Sequence, residues 1–572
     1  MNFDDILSEY RRVSFSETDK GDRFERLMQA YLQTDPKYSE LFTDVWLWKD
    51  FFARSELGGH DTGIDLVART IDGDYWAIQC KCYQDQQIIS KDMVDGFLST
   101  SSKSFKDEKD LKTTKFPYRL WISTTNRWGS NAEKAIENQD PPVVRLNLSD
   151  LREAKVDWEK LEKGIHGEKA REEKKQVRTH QKEAIEKAVA HFAANDRGKL
   201  IMACGTGKTY TALKIAETLT KGTGTVLFLV PSIALLGQTL REWFGDADER
   251  LNAVCVCSDA EVSRQRSRSE DGEFDNVVDL AYPASTNPQS VVKQFRYFGN
   301  RKGKGLTVVF STYQSIDVVS KAQEKLIANG FPEFDLIICD EAHRTTGVTL
   351  AGEDESAFTK VHDNTFIKAK KRLYMTATPR LYSDDAKGKA AQADAILCSM
   401  DNADLYGEEF YRIGFGEAVE RDLLTDYKVL ILTLSDSDVP PAIQDMIANR
   451  SDEINADDAS KLIGCINALS KQILGDDGEL QRDDPSFMKR AVAFCPKITA
   501  SKKITGIFNA ASDVYTNSLP ETKRSLMVNV ASEHVDGTMS APERDRLLSW
   551  LKQETPHGDC RILTNVRCLS EG

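Results

Sequence analysis

The sequence has no excess of positive charge. Its 76 Lys and Arg residues stand against 90 Asp and Glu, a formal net charge of −14 over 572 residues. No global field therefore draws the chain to nucleic acid or to an anionic membrane, and any such contact must come from local patches. Long apolar runs are also missing: a stretch such as "VLFLV", Val226 to Val230, is far too short to span a bilayer. The opening "MNFDDILSEYRR" puts acids where a secretory signal needs basic residues, so a cytoplasmic protein is expected. Eleven cysteines include no C-x₂-C pair. Cys80 and Cys82, and again Cys255 and Cys257, alternate along strand-like runs with no His or Cys cluster nearby, which argues against a zinc module and for reduced thiols. There is no fixed-period repeat and no low-complexity tract.

What is present is enough chain for about three to four domains at roughly 150 residues each. Residues 1–155 combine an amphipathic helix ("FERLMQAYL") with short β-rich runs ("GIDLVAR", "DYWAIQCKCY", "YRLWISTT") and a closing "PPVVRLNL". Residues 156–176 are dense in Glu and Lys and predict an exposed helical coupler between two independently folded units. From residue 177 to about 395, strand, turn and helix alternate ("GKLIMA", "GTVLFLVPS", "NAVCVCS", "LTVVFSTY", "FDLIICDEAH", "KRLYMTATP"), the pattern of an α/β parallel sheet with helices on both faces. Residues 396–572 start a second such series, with a helical insertion expected at about 440–480.

"MACGTGKTYTA" sits between an apolar strand and a helix, the context of a phosphate-binding loop. Backbone N–H groups from Gly205, Thr206 and Gly207 to Lys208 can cradle phosphate oxygens, the Lys208 ammonium can reach the β and γ phosphates, and Thr209 can ligate Mg²⁺. The strict pattern has Gly where this chain has Met202. "LIICDEAHR" then places Asp340 and Glu341 at the carboxyl end of an apolar strand, where one acid can hold Mg²⁺ and the other can orient an attacking water. ATP and Mg²⁺ are the expected cofactors.

A second constellation lies in "GGHDTGIDLVARTIDGDYWAIQCKCY". Asp65 opens one arm of a hairpin, and Gln79 and Lys81, two apart on the other arm, face the same way. Asp65 and the Cys80 carbonyl can bind Mg²⁺, Gln79 can complete or orient the shell, and Lys81 can position a water for attack on phosphorus. Glu25, on the preceding helix, can add a carboxylate. His60 and Asp61 beside this site are expected to be structural. "SRQRSRS" (Arg264, Arg266, Arg268) and "KQFRYFGNRKGKG" (Lys293, Arg296, Arg301, Lys302, Lys304) are locally basic; they suit solvated loops and can also meet phosphates.

From Val177 onward the motif set resembles superfamily 2 helicases and translocases. The resemblance implies two RecA-like lobes with ATP in their cleft and DNA across their tops. It gives Arg178 and Gln181 of "VRTHQKEAI" an adenine-reading role, His343 a place at the nucleotide, and Thr376 and Thr378 of "MTATP" a coupling role. Ser232, Gln238, Ser311, Thr312 and Tyr313 become DNA-backbone contacts. Residues 15 to 150 resemble the Mrr-like branch of the PD-(D/E)xK nucleases, in which Gln replaces the usual acid.

The order, nuclease then motor, is similar to the N-terminal half of type ISP restriction-modification enzymes. That resemblance implies an ATP-dependent double-stranded DNA translocase that cuts strands in phage defence, with methyltransferase and target-recognition domains downstream in the same polypeptide. "RILTNVRCLSEG" looks like a fifth helicase motif cut short, so the second lobe is expected to be incomplete and ATP hydrolysis by this chain weak. A stand-alone helicase-nuclease and an ATP-gated DNA-binding switch with a degenerate nuclease are the alternatives.

Overall fold

The computed structural model describes the chain except residues 60–62, 138, 258–276, 300–304, 350–355, 385–395, 428, 430–455, 473–485, 537–538, 540 and 567–572. His60 and Asp61, the arginines at 264, 266 and 268, Arg301, Lys302, Lys304 and the end of the fifth motif lie outside the described residues. The chain divides into two compact units: residues 1–262 with 275–425, and residues 426–572 with a short excursion.

The first unit begins with the nuclease-like fold. The Glu17–Leu32 helix starts at Ser16, whose hydroxyl accepts the Asp19 N–H at 3.1 Å, and it buries Phe24, Leu27, Met28, Tyr31 and Leu32, one stripe at helical spacing. That stripe covers a five-stranded sheet ordered Phe42–Leu47, Leu66–Thr70, Tyr75–Lys81, Tyr118–Ser123, Val143–Leu146. The first three strands are antiparallel and the last two join in parallel. Leu66 pairs with Ile78, so Asp65, just before its strand, lies next to Gln79 on the neighbouring one.

The same unit contains a seven-stranded, wholly parallel sheet. Its order is Leu251–Val256, Leu306–Thr312, Thr225–Val230, Leu336–Cys339, Arg372–Thr376, Arg197–Met202, Glu408–Ile413. Helix-covered on both faces, the first six of these strands are largely apolar and buried, whereas the edge strand Glu408–Ile413 is half polar and half exposed. Glu408–Ile413 pairs with Arg197–Met202, so the first sheet runs to Ile413 and not to the expected boundary at 395.

The coupler also differs from expectation. Instead of an exposed helix it has a short α-helix, Trp158–Glu162, and a 3-10 turn, Gly167–Ala170; Trp158 is buried and stacks on Tyr31 at 5.4 Å. Further on, the Lys175 N–H donates to Asp246 at 3.0 Å and the Tyr210 hydroxyl donates to the Lys175 carbonyl at 2.6 Å. Of its few apolar residues Val156, Trp158, Leu161 and Ala170 are buried in the nuclease core and Ile165 is exposed, and nuclease and motor folds form one compact unit rather than two joined by a tether. Ala281 of the motor fold packs in the nuclease core, and its carbonyl accepts from the Tyr38 hydroxyl at 2.8 Å.

The second unit has a three-stranded parallel sheet, ordered Arg490–Phe494, Asp559–Asn565, Asn529–Val535. Of the expected insertion, the described part is the helix Ala456–Leu469. Its Leu462, Ile463 and Ile466 pack with Ile507 and Phe508 of the Ile498–Ser518 helix, which makes it part of that core.

In the first unit, His362 is buried, with Nδ1 3.0 Å from the Tyr374 hydroxyl and Nε2 3.1 Å from the Thr345 carbonyl. Burial lowers its pKa to about 4. The unfolded chain then takes a proton near pH 6.5 that the folded one refuses until about 4, so its contribution is full above 6.5 and is lost as pH falls. Urea unfolding should show stability dropping by up to about 1.4 kcal/mol per pH unit across that window from this residue. His362→Asn should flatten the profile, and an unchanged slope would refute the assignment.

Candidate active sites

At the first site the backbone delivers the acid. Gly63 has φ +77°, and a Cβ there would sit 2.9 Å from the Phe97 nitrogen, so only glycine lets the chain pass the Lys91–Thr100 helix on its way to Asp65. The Asp65 N–H donates to the Ile78 carbonyl at 2.9 Å, and its own carbonyl accepts the Trp48 N–H at 2.8 Å. With its backbone fixed on both sides, Asp65 aims Oδ2 at the facing strand. There it accepts the Cys80 N–H at 2.8 Å and a short hydrogen bond from the Gln79 amide. Lys81 Nζ stands 4.0 Å from the same oxygen.

Asp65, Gln79 and Lys81 thus converge, and Glu25 joins Asp65 and Lys81 around one cavity of about 350 Å³. Glu25 is pushed up to about 7, first by burial, then by the charges of Asp65 and Asp22. Two carboxylates held at the same cavity, one resisting ionisation, are a donor set that a divalent cation would relieve. Sequence reasoning missed Asp22, Arg26 and Lys49 on the cavity wall. Asp22 was within reach, three residues before Glu25 on one helix face.

At the second site the phosphate loop links the Arg197–Met202 strand to the Lys208–Thr220 helix. Gly205 and Gly207 have φ of +80° and +86°. Gln181 packs directly on the loop: a Cβ on Gly207 would lie 2.5 Å from its Nε2, and its Oε1 accepts the Arg178 N–H at 2.9 Å. His180, which sequence reasoning passed over inside "VRTHQKEAI", is buried with Nε2 2.9 Å from the Thr206 carbonyl. Thr206 turns its hydroxyl inward to the Ala203 carbonyl at 2.6 Å, leaving the loop's outer side to backbone, Cys204, Lys208 and Thr209. Arg178 is exposed.

Lys208 Nζ lies 3.8 Å from Glu341 Oε1, which brings the loop and the acidic strand end together. Asp340 is buried and pushed up to about 7 by burial and by Glu341, with Lys208 opposing. Glu341 takes the left-handed conformation, φ +45°, and its N–H donates to Asp340 Oδ1 at 2.9 Å. His343 Nδ1 lies 3.4 Å from Glu341 Oε2 and 3.0 Å from the Thr376 hydroxyl, which in turn accepts the Thr378 N–H at 3.2 Å. One chain of contacts therefore runs from Lys208 through Glu341 and His343 to Thr376 and Thr378.

The expected DNA contacts separate. Ser232 and Gln238 reach the surface, Ser232 capping the Ile233–Asp246 helix through the Leu235 N–H at 3.3 Å. Ser311, Thr312 and Tyr313 do not: all three are buried. The Ser311 hydroxyl donates to the Thr312 carbonyl at 3.0 Å, Thr312 bonds Ser315 at 3.2 Å, and the Tyr313 hydroxyl donates to the Asp340 carbonyl at 2.8 Å. None of the three faces outward: Tyr313 braces the acidic strand end, and Ser311 and Thr312 are tied within their own turn.

Residues 33–168 match the family model described as restriction endonuclease, and residues 174–381 match the one described as type III restriction enzyme, res subunit. The chain carries a restriction-endonuclease domain followed by a restriction-type helicase domain. The ATP-dependent type ISP restriction-modification enzyme LlaBIII, solved bound to DNA, is 36% identical with a TM-score of 0.79 over 100% of this chain and 34% of that one. The probable helicase A859L of African swine fever virus (strain Badajoz 1971 Vero-adapted) is 31% identical over 253 residues, 44% of this chain and 24% of its own length. The type I restriction enzyme EcoAI endonuclease subunit of Escherichia coli is 26% identical over 259 residues, 45% of this chain and 24% of its own. This chain thus spans about a quarter of the curated relatives it matches. No helix among the described residues is long and apolar enough to cross a membrane.

Gly207→Ala should cost at least about tenfold in binding of a fluorescent ATP analogue, because the added methyl meets Gln181 and the φ is unfavourable. Full affinity in this variant would remove the loop from the nucleotide site.

Proposed function

We propose that this chain is the nuclease and motor portion of an ATP-dependent restriction enzyme that moves along double-stranded DNA and cuts it, working in the cytoplasm. The observation that carries the reading is that Asp65, Gln79, Lys81 and Glu25 on one side, and Lys208, Asp340 and Glu341 on the other, belong to a single compact unit. We divide it into nuclease, coupler, first motor lobe and second motor lobe, with the first lobe's sheet ending at Ile413.

At the motor site Lys208 neutralises the outer phosphates of ATP, while backbone N–H groups from Gly205 to Lys208 hold their oxygens. Thr209 and Asp340 are the residues to hold Mg²⁺, and Arg178 and Gln181 border the base. Glu341, beside Lys208, orients the attacking water and takes its proton. His343 passes the position of Glu341 to Thr376 and Thr378, and Ser232 and Gln238 meet the DNA backbone.

At the nuclease site Asp65, Glu25 and the backbone of Cys80 are placed to hold Mg²⁺. That cation supplies charge neutralisation at the scissile phosphate and a more acidic water. Gln79 fixes Asp65 in place through its amide, and Lys81 positions the water and shields the developing negative charge.

Lys81→Ala should abolish cutting of duplex DNA, by about a hundredfold or more, while leaving ATP binding intact. Lys208→Ala should lose ATP binding and, with it, any ATP-dependent cutting. Persistence of cutting in Lys81→Ala together with its loss in Lys208→Ala would overturn the nuclease assignment.

A further inference from the structure

Between the Lys91–Thr100 helix and the Tyr118–Ser123 strand the nuclease fold extends an antiparallel hairpin, Ser104–Lys106 against Thr113–Lys115. Its register pairs Ser104 with Lys115, Phe105 with Thr114 and Lys106 with Thr113. Alternation along both strands puts Ser104, Lys106, Thr113 and Lys115 on one face and Phe105 on the other. The first four are exposed, whereas Phe105 is 1% exposed.

The inner face is firmly mounted. The Phe105 ring centroid lies 4.9 Å from that of Phe116, 5.3 Å from Tyr75 and 5.5 Å from Phe51. The Lys106 N–H donates to the Glu56 carboxylate at 3.1 Å, and the Lys103 ammonium to the Leu57 carbonyl at 3.2 Å. Glu56 and Leu57 continue the loop from Trp48 and Lys49, which line the Asp65 cavity. The hairpin and one wall of the nuclease cavity therefore rest on the same loop.

The charge of the outer face is arranged as well. In a chain of net charge −14, the segment from Lys103 to Lys115 has a lysine at every third position, five against the three acids Asp107, Glu108 and Asp110. Two of those acids are spent inside the turn. Asp107 accepts from the Tyr75 hydroxyl at 2.8 Å and the Lys109 N–H at 2.7 Å, and Asp110 accepts the Lys112 N–H at 3.0 Å and pairs with its ammonium at 2.9 Å. Glu108 remains exposed. Lys106, Lys109 and Lys115 make no ion pair among the described residues. At the tip, Leu111 is 71% exposed with φ +55°, a conformation that bulky residues rarely adopt.

Exposed ammonium and hydroxyl groups alternating on a stiff two-stranded ribbon are chemistry for phosphates, and an apolar residue held outward at the end suits a groove. We propose that this hairpin is a DNA-backbone contact in which Lys106 and Lys115, flanked by Ser104 and Thr113, seat phosphates beside the nuclease cavity while Leu111 enters a groove. This rests on the reading of the chain as a DNA-cutting motor and adds a second point of purchase on the nuclease itself.

The test uses the full chain carrying Lys81→Ala, without nucleotide and in EDTA, titrated onto a fluorescent 30-base-pair duplex over a series of NaCl concentrations. Lys106→Ala with Lys115→Ala should weaken binding and lower the slope of log Kd against log salt by about 1.8, two phosphate contacts' worth. The corresponding Arg pair should restore it. Leu111→Ser should weaken binding with no change in slope. An unchanged affinity and slope in the double Ala variant would overturn the proposal and leave the lysines to another partner, such as an acidic protein. Cutting is already silent in this background, so failure here leaves the nuclease assignment standing, and a wild type that never cuts leaves this binding result standing.

Discussion

Arg145 is charged, its side chain is 2% exposed, and much of its neutralisation comes from outside the nuclease sheet that carries it. Its guanidinium grips Asp279 of the motor fold, with the second contact at 3.1 Å, lies 3.5 Å from Glu133 and covers Trp128 at 5.0 Å. Removing one partner of such a buried pair typically costs about 3–5 kcal/mol. The nuclease face is thus built to be covered. Val278, one residue before Asp279, enters the same apolar cluster as Ile64, the neighbour of Asp65. On the other side of the junction Arg241 of the Ile233–Asp246 helix pairs with Asp150 at 3.1 Å and Glu153 at 2.9 Å. That helix starts at Ser232, so the residues proposed to meet the DNA backbone and those paired with the nuclease fold lie on one helix.

Much of the geometry of both candidate sites was legible in the sequence, because their signals are local. A glycine loop between strand and helix, two acids at a strand end and a D…QxK hairpin each fix their own geometry within a few residues, and Asp65, Gln79 and Lys81 do converge. What escaped was set by long-range partners. Nothing in "FSTYQSI" distinguishes an outward hydroxyl from one turned in to hold the acidic strand end, which is where the Tyr313 hydroxyl goes. The apolar residues of the coupler are too few to show periodicity, yet Val156, Trp158, Leu161 and Ala170 all enter the core, with Trp158 stacked on Tyr31. Likewise "EEFYRI" has the pattern of a strand without any indication of which sheet accepts it, and its pairing with Arg197–Met202 extends the first lobe. The lysines of the Ser104–Lys115 hairpin gain meaning only once the register puts two of them on one face.

The glutamine at position 79 illustrates how the nuclease site balances charge. Glu25 is already pushed up to about 7 by burial and by Asp65 and Asp22. An acid at position 79, within hydrogen-bonding distance of Asp65, would add a third carboxylate to a pocket where two resist ionising together, and one of them would hold a proton near neutral pH. An amide avoids this. It donates to Asp65, as the Cys80 N–H does, and so stabilises the ionised carboxylate without adding repulsion. The cost falls on cation affinity, since one fewer negative charge faces the cavity. Lys81, at 4.0 Å from Asp65, weakens the field further. Such a site would hold a divalent ion loosely until phosphate oxygens from a bound strand supply the missing negative ligands. On the proposed reading of the chain as a DNA-cutting motor, cutting would then wait on how the strand is seated, which gives the packing of the nuclease fold against the motor fold within one compact unit a chemical as well as a mechanical consequence.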